Sequence, residues 1–258
     1  MATGLLKGKV SLVTGASRGV GAAIAELFAQ HGSKVLVTAE PAQEENLQKV
    51  AASCSSKGEK AHVYACNLVD PKAINAMCEK ILADHGCVDV IVNNAGSYSP
   101  MDFSQGDNKG QGPFDGDPDE WDRVMMVNLM SALRITRWLG PKMAEKEAGF
   151  IINIASIEAT IGYPSAPTYS ASKWGLRGWS KGIFEGLKSK GIKCVTINPG
   201  QVSTPMTWNR PDADYIPELM IQPEEVAEAA LLAFKLGDNV ILDEITIQTA
   251  RKPKIEKK

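Results

Sequence analysis

Short apolar runs alternate with amphipathic stretches along almost the whole chain. The first run starts at Val10 and ends at Gly15; apolar residues then recur at helical spacing from Val20 to Phe28, and Gly32 ends the helix. The other predicted strands are Lys34–Ala39, Ala61–Cys66, Val88–Asn93, Phe150–Ala155, Ile192–Asn198 and Val240–Ile247. The other predicted helices are Glu44–Lys57, Pro71–His85, Glu120–Lys146, Thr168–Lys190 and Pro223–Leu236.

This alternation predicts the fold class. Strands that alternate with helices form a parallel sheet with helices on both faces. About seven strands, with short connections and no linker, indicate a single domain over residues 1–258. The predicted fold is therefore α/β, a Rossmann-type doubly wound parallel sheet.

Three segments interrupt the alternation. Ser97–Pro118 is rich in Gly, Asp, Ser and Pro and is predicted to be a long inserted loop. Gln201–Gln222 contains three prolines after the end of a strand, which favours an irregular lid over a substrate. Arg251–Lys258 is predicted to be a disordered basic tail.

Charge and composition exclude several classes of protein. Lys and Arg number 28 against 30 Asp and Glu, so a net charge of −2 offers no general attraction for nucleic acid or an anionic membrane. Apolar runs such as Ala229–Phe234 are far shorter than the roughly 20 residues of a membrane span. The strand-like run from Lys9 leaves no room for a signal peptide. Five scattered cysteines predict free thiols in a reducing compartment, hence a cytoplasmic protein, and no metal site is expected.

The segment Thr14–Gly21 joins the first strand to the first helix. Its glycines let the backbone approach a pyrophosphate, and the helix N-terminus offers N–H donors and a favourable dipole. The spacing G-x-x-x-G-x-G at this position predicts a dinucleotide site. The same residues also match G-x-S-x-G, the nucleophile elbow of α/β-hydrolases. That alternative needs a later histidine, and all three histidines lie in the first third of the chain, at His31, His62 and His85.

A tyrosine, a lysine and a serine form a candidate catalytic group. Lys173 follows Tyr169 by four residues, so both side chains lie on one helix face. A neighbouring ammonium lowers the phenol pKa from about 10 toward the range useful for proton transfer to a carbonyl oxygen. Y-x-x-x-K alone is also typical of a surface pair, but Ser156 ends an apolar strand at the ligand-binding edge of the predicted sheet. Tyr163 is a weaker candidate, because Pro167 stands where its lysine partner would be.

Asn128 lies on an otherwise apolar helical stripe that includes Val124 and Ala132. A polar amide in such a place must find hydrogen-bond partners. The sequence leaves two interpretations open, a structural core asparagine and a functional one.

Taken together, these motifs resemble the compact short-chain dehydrogenase/reductase family over roughly residues 7 to 247. Thr14–Gly21 matches its T-G-x-x-x-G-h-G loop, and Asn93–Gly96 matches its N-N-A-G. Ser156, Tyr169–Lys173 and the Asn-Pro-Gly of Asn198–Gly200 follow in the family's order.

The resemblance implies an NAD(P)(H)-dependent oxidoreductase that interconverts a small-molecule carbonyl and an alcohol. In such an enzyme Tyr169 transfers the proton and Ser156 binds the substrate oxygen. Lys173 lowers the tyrosine pKa and holds the nicotinamide ribose, while Asn128 anchors a water-mediated proton relay. The alternative is a catalytically silent Rossmann protein that senses the cofactor or acts as a scaffold; loss of Tyr169 or Lys173 would favour it, and both are present.

The resemblance also implies a set of cofactor-binding residues. Asn94 is expected along the adenine ribose, the amide of Asn67 at the adenine edge, and Val202 and Thr204 at the nicotinamide carboxamide. The full implied set is Gly15, Ser17, Arg18, Gly19, Val20, Gly21, Ala39, Asn67, Leu68, Asn94, Ala95, Gly96, Tyr169, Lys173, Pro199, Gly200, Val202 and Thr204.

Cofactor choice depends on three residues. An acid near Ala39 would select NAD by binding the ribose 2′-hydroxyl, and alanine cannot do so. Arg18 can pair with a 2′-phosphate. Glu40 opposes this, because it stands where NADP-preferring members often have Arg. We expect NADP, with NAD as the alternative.

Two further features bear on assembly and substrate. The helix predicted at Thr168–Lys190 carries Trp174, Leu176, Trp179 and Ile183, more apolar surface than one sheet face needs to cover. Since the family pairs this helix and Glu120–Lys146 across a two-fold axis, a homodimer or homotetramer is expected, unless the tryptophans are ordinary core.

The family's C-terminal V-D-G-G is absent, which argues against a ketoacyl-carrier-protein reductase and against a tetramer built on that strand.

Overall fold

The computed structural model describes residues 4–98, 114, 116–163, 166–208 and 216–250. These residues form one parallel sheet in the order β3-β2-β1-β4-β5-β6-β7. Its strands are β1 Val10–Thr14, β2 Lys34–Thr38, β3 His62–Val63, β4 Val90–Asn93, β5 Gly149–Ile154, β6 Ile192–Pro199 and β7 Glu244–Ile247. The chain runs outward from β1 to β3 and then returns to the other side of β1, so the predicted doubly wound sheet is confirmed.

Helices cover both faces of the sheet. They are α1 Gly19–Gln30, α2 Glu44–Lys57, α3 Pro71–His85, α4 Pro118–Met125, α5 Ser131–Glu145, α6 Pro167–Leu187, α7 Pro205–Trp208 and α8 Pro223–Leu232. A π-helical segment, Met126–Met130, joins α4 to α5 without a break. Short 3-10 turns occur at Pro41–Gln43, Ile157–Ala159, Lys188–Lys190 and Pro217–Leu219.

Two apolar cores hold the layers together. On one face Phe28 of α1 and Leu47 of α2 pack with α8 against strand residues such as Val37. On the other face Ile81 of α3 and Leu139 of α5 pack against the opposite sides of the same strands. The central strands are therefore buried on both faces, as their unbroken apolar runs predict.

Element ends differ from the sequence-based boundaries mainly at the sheet edges. The third strand is His62–Val63 instead of Ala61–Cys66, and the seventh begins at Glu244 instead of Val240. Both are edge strands with one neighbour, so fewer ladder hydrogen bonds define them. Helix α8 ends at Leu232 because the next turn tightens, with Phe234 N–H donating to Leu231 and Lys235 N–H to Leu232.

The three interrupting segments are described only in part. Part of each segment lies outside the described residues: 99–113 and 115 of the predicted insertion, 209–215 of the predicted lid, and the whole predicted tail Arg251–Lys258. The ends of the lid segment are joined by a parallel bridge between Val202 and Ile221. The extent of the domain and the roles of these segments therefore stay predictions.

All five cysteines are unpaired and buried, as their spacing predicts. Burial raises the pKa of Cys54 to about 12 and that of Cys66 to about 11, so both thiols stay protonated at neutral pH. In the described part of the chain, every helix is too short or too polar to cross a bilayer, and His, Cys, Asp and Glu side chains form no metal-binding group.

Candidate active site

A cleft of about 1480 Å³ lies across the carboxyl ends of the strands, where the strand order reverses between β1 and β4. Every residue in the implied cofactor set lines this cleft. Ser156, Tyr169 and Lys173 line it as well, whereas Asn128 lies behind its wall. Residues from the first and last thirds of the chain thus meet at one edge of the sheet.

In the glycine loop between β1 and α1, Gly15 and Gly21 have no room for a side chain. Gly15 and Gly19 have φ of 65° and 58°, in the left-handed region that favours glycine. A Cβ at Gly21 would lie 2.4 Å from the carbonyl oxygen of Gly15 and 2.5 Å from Nδ2 of Asn94. These contacts make the loop a close-fitting cradle whose backbone faces the cleft.

The start of α1 is suited to an anion. Arg18, the residue before the helix, is extended (φ −168°, ψ 172°) and its side chain does not cap the helix. The first turn of α1 contains no acidic residue. The cleft lining at the start of α1 includes Arg18, Gly19 and Val20. It therefore combines a guanidinium group with the N–H donors of a helix N-terminus.

Asn94 and Thr14 fix the loop to the sheet. The Asn94 amide Nδ2 donates to the carbonyl oxygens of Thr14 (2.8 Å) and Gly15 (3.3 Å). The Thr14 hydroxyl accepts from the backbone N–H groups of Asn94 and Ala95 at 3.0 Å each, and donates to Val92. The side-chain amide of Asn94 is thus directed at the loop backbone, where it holds the cradle in shape.

The other asparagines of the motifs are bonded away from the cleft. Asn93 donates to Asn153 Oδ1 at 2.8 Å, and Asn153 donates to the Ser180 hydroxyl at 2.7 Å, which forms a buried polar ladder. Asn198 donates to Glu244 on β7. These motif positions stabilise the sheet and its packing on α6.

Asn128 lies in the π-helical segment and is 2% exposed. Its Nδ2 donates to the Ser97 carbonyl (2.9 Å) and the Ser172 hydroxyl (3.0 Å), and its Oδ1 accepts from Ser97 N–H (2.6 Å). Ser172 in turn donates to the carbonyl of Tyr169. A Cβ built on Gly96 would lie 3.7 Å from both Asn128 Oδ1 and Lys173 Nζ, so these two atoms flank the same small space. π-Helical turns of this kind frequently occur at functional sites.

Tyr169 and Lys173 both lie on the buried face of α6, as their spacing predicts. Lys173 is 3% exposed; its Nζ donates to the Ile154 carbonyl at 2.9 Å and lies 5.6 Å from the centre of the Tyr169 ring. Burial lowers the pKa of Lys173 to about 8, against the opposing effect of the Glu158 carboxylate. A buried ammonium thus lies close to the tyrosine ring at the edge of the cleft.

Ser156 follows β5 and begins the 3-10 turn Ile157–Ala159, where its Oγ accepts from the N–H of Glu158 at 3.1 Å. Ser156 lines the same cleft as Tyr169. Tyr163 also lines the cleft, but it is 41% exposed and precedes α6. Tyr163 and Tyr169 therefore line the same cleft in very different environments.

Sequence reasoning missed two residues of the site. The Tyr98 ring packs against the Tyr169 ring at a tilt of 50°, with ring centres 4.7 Å apart, and Glu158 lies buried beside Ser156. Both have a positional signal, since Tyr98 follows the N-N-A-G motif and Glu158 is two residues after the serine at the same sheet edge. Met206, Ile216, Leu219 and Met220 add apolar side chains to the cleft lining.

Comparison with known proteins agrees with this geometry. The family model described as short chain dehydrogenase matches residues 9–214. An uncharacterized oxidoreductase of Staphylococcus saprophyticus is 31% identical over 246 residues, 94% of this chain and 98% of that protein. The 3-oxoacyl-acyl-carrier-protein reductase FabG of Escherichia coli is 37% identical over 201 residues, 78% of this chain and 76% of the reductase.

Solved structures show the same likeness. A metagenomic short-chain oxidoreductase in complex with NADP superposes with a TM-score of 0.80 at 31% identity, over 96% of this chain and 100% of that one. Acetoin dehydrogenase YohF of Salmonella typhimurium gives a TM-score of 0.80 at 25% identity, over 93% of this chain and 94% of that one. With most of its length matched by the family model, the chain belongs to the short-chain dehydrogenase family of oxidoreductases.

Proposed function

We propose that the protein interconverts a carbonyl and an alcohol with a nicotinamide cofactor, and that Tyr169 is the acid–base catalyst. The observation that carries the proposal is the meeting of Tyr169, Lys173 and Ser156 in the same cleft as the glycine cradle. The cradle fits a dinucleotide because its backbone is bare where a pyrophosphate would lie. A bound nicotinamide supplies or accepts the hydride, and the remaining chemistry belongs to the protein.

In the reducing direction the Tyr169 hydroxyl donates its proton to the carbonyl oxygen as negative charge develops there. Ser156 donates a hydrogen bond to the same oxygen, so two preorganised donors stabilise that charge. The Lys173 ammonium favours the tyrosinate that remains. Asn128 is hydrogen-bonded to Ser97 and Ser172, and Ser172 is hydrogen-bonded to the carbonyl of Tyr169. We therefore assign Asn128 a positioning role in the proton relay that ends at Tyr169.

An activity screen tests this function. The absorbance of reduced nicotinamide is followed with a panel of aldehydes and ketones, and that of oxidised nicotinamide with the matching alcohols. The apolar side chains Met206, Ile216, Leu219 and Met220 in the cleft lining favour substrates with an apolar body, so a phenyl ketone should be reduced faster than a 2-oxo acid of similar size. Cofactor binding in a calorimeter without turnover on any member would instead support the silent sensor or scaffold.

Cofactor choice gives a sharper prediction. We propose that NADP is preferred, because Arg18 lines the cleft and position 39 is alanine. The NADP complex of the similar metagenomic enzyme supports this preference, whereas Glu40, which also lines the cleft, opposes it. Arg18→Ala should lower the ratio of kcat/KM for NADPH over NADH by about tenfold or more, the equivalent of one charge-assisted hydrogen bond. Arg123→Ala, which removes the cleft arginine paired with Glu120, is the matched control and should leave the ratio unchanged. A wild type that uses NADH equally well, or an unchanged ratio in Arg18→Ala, would contradict the preference.

A homodimer or homotetramer remains our proposal for the assembly. Within one protomer Leu176 is core, while Trp179, Ile183 and Phe184 pack partly against the cores. Trp174 stays 47% exposed, so among the large apolar side chains of α6 it is the one most available to a partner surface. Light scattering at micromolar concentration should give a multiple of the protomer mass, and Trp174→Glu should shift it toward the protomer. A protomer mass for the wild type would refute the proposal.

A further inference from the structure

Glu158 is a buried carboxylate at the active site that the catalytic assignment above does not use. It is 6% exposed and lies in the turn that follows Ser156. Removing a carboxylate from water costs several kcal/mol unless hydrogen bonds and an opposite charge offset the loss. Its partners therefore indicate what it contributes.

Two hydrogen bonds connect Glu158 to the elements that carry the catalytic side chains. Its backbone N–H donates to the Ser156 hydroxyl at 3.1 Å, and its Oε2 accepts from the Ser170 hydroxyl at 2.9 Å. Ser170 is the neighbour of Tyr169 on the first turns of α6 and is itself buried. One residue thus ties the serine-bearing turn to the tyrosine-bearing helix.

The charge of Glu158 acts on Lys173. Among described residues, Glu158 is the one charged group with a resolved effect on the Lys173 pKa, and it opposes the lowering caused by burial. The Lys173 Nζ also donates to the Ile154 carbonyl of β5 and lies 5.6 Å from the centre of the Tyr169 ring on α6. Asn128 Oδ1, from the π segment, flanks the same small space as the ammonium. Ser170, the hydrogen-bond partner of Glu158, precedes Lys173 by three residues and lies on the same face of α6, so the Glu158 carboxylate is bound on the side of the helix that carries the ammonium.

We propose that Glu158 is a positioning residue for the reaction assigned above: its carboxylate aligns α6 with the Ser156 turn and supplies the negative charge that keeps Lys173 protonated beside Tyr169. The inference rests on the proposed function for its catalytic consequence. Its electrostatic part can be measured in the protein alone.

The first test is a direct titration of Lys173. NMR of the lysine Cε–Hε groups in isotope-labelled protein follows its protonation, with Lys173→Arg assigning the signal. Glu158→Gln keeps an oxygen for Ser170 but removes the charge, so the Lys173 midpoint should fall by about one pH unit, the lower end of the effect of a neighbouring opposite charge. Ser170→Ala is the matched control, because it removes the hydrogen bond and leaves the charge; its midpoint should stay within a few tenths of the wild type. Glu158→Met serves as the second neutral variant if the glutamine variant does not fold.

An unchanged Lys173 midpoint in both neutral variants, or an equal shift in Ser170→Ala, would overturn the proposal.

The second test compares pH–rate profiles on a substrate found in the screen. Glu158→Gln should lose kcat progressively as pH rises through the lowered Lys173 midpoint, with a much smaller change in substrate KM, and Glu158→Asp should restore part of the loss. A uniform loss at every pH would indicate a structural role only. If the midpoint shifts while no carbonyl substrate is turned over, the electrostatic inference stands and the proposed function fails.

Discussion

Replacing Tyr169 with phenylalanine should remove nearly all turnover while cofactor affinity stays close to that of the wild type. The ring still packs on Tyr98, and only the hydroxyl that gives and takes the proton is lost. General acid–base catalysis typically contributes about 10²–10⁴-fold, so kcat should fall within that range. Steady-state kinetics and calorimetric titration with the cofactor measure the two quantities separately.

Tyr163→Phe is the matched control for this change, since Tyr163 lines the same cleft but is exposed and lacks a lysine partner. It should keep kcat within a few-fold of the wild type. The assignment of Tyr169 fails if its phenylalanine variant retains more than about a tenth of wild-type turnover.

Two further variants separate the roles around the tyrosine. Lys173→Ala should lower both turnover and cofactor affinity, because the ammonium acts on the phenol and, by the proposed binding mode, on the nicotinamide ribose. Ser156→Ala should lower turnover and leave cofactor affinity mostly intact, since its proposed partner is the substrate oxygen. Equal effects of both variants on cofactor affinity would argue against this division.

Gly21→Ala should have the second largest effect, a loss of cofactor affinity of at least about tenfold, or ~1.4 kcal/mol. The added Cβ would meet the Gly15 carbonyl and the Asn94 amide well inside van der Waals distance, so the loop must open. Overpacking of this kind also costs about 1–3 kcal/mol of stability. Calorimetric titration with NADPH and thermal unfolding measure the two losses.

Gly186→Ala is the control for a glycine-to-alanine change in a helix. Gly186 is exposed near the end of α6, and its added Cβ would meet nothing within 4 Å. Cofactor affinity should not change, and stability should rise by about 0.5–1 kcal/mol. Wild-type affinity in Gly21→Ala would show that the cradle does not hold the cofactor.

The sequence by itself determined the order of the elements and the location of the site. The spacing of apolar residues indicates which face of each helix or strand is buried. Because this spacing is local, it can be recognised in the sequence before the tertiary structure is known. Parallel strands place their carboxyl ends at one edge, which is why the glycine loop after Thr14 and Ser156, far apart in the chain, could be expected at the same edge; Thr204 was assigned there by the family resemblance. The spacing of Tyr169 and Lys173 fixed their common helix face in the same way.

Only the tertiary structure decided the partners of the polar side chains. Asn128 finds Ser97 and Ser172 far away in the chain, Asn94 turns back to the glycine loop, and Glu158 becomes buried against α6. Such contacts follow no local periodicity, because the identity of a polar residue does not reveal which distant group will form its hydrogen bond once it is buried. The edge strands were misjudged for a related reason, since their length depends on ladder bonds to a single neighbour and not on their own residues.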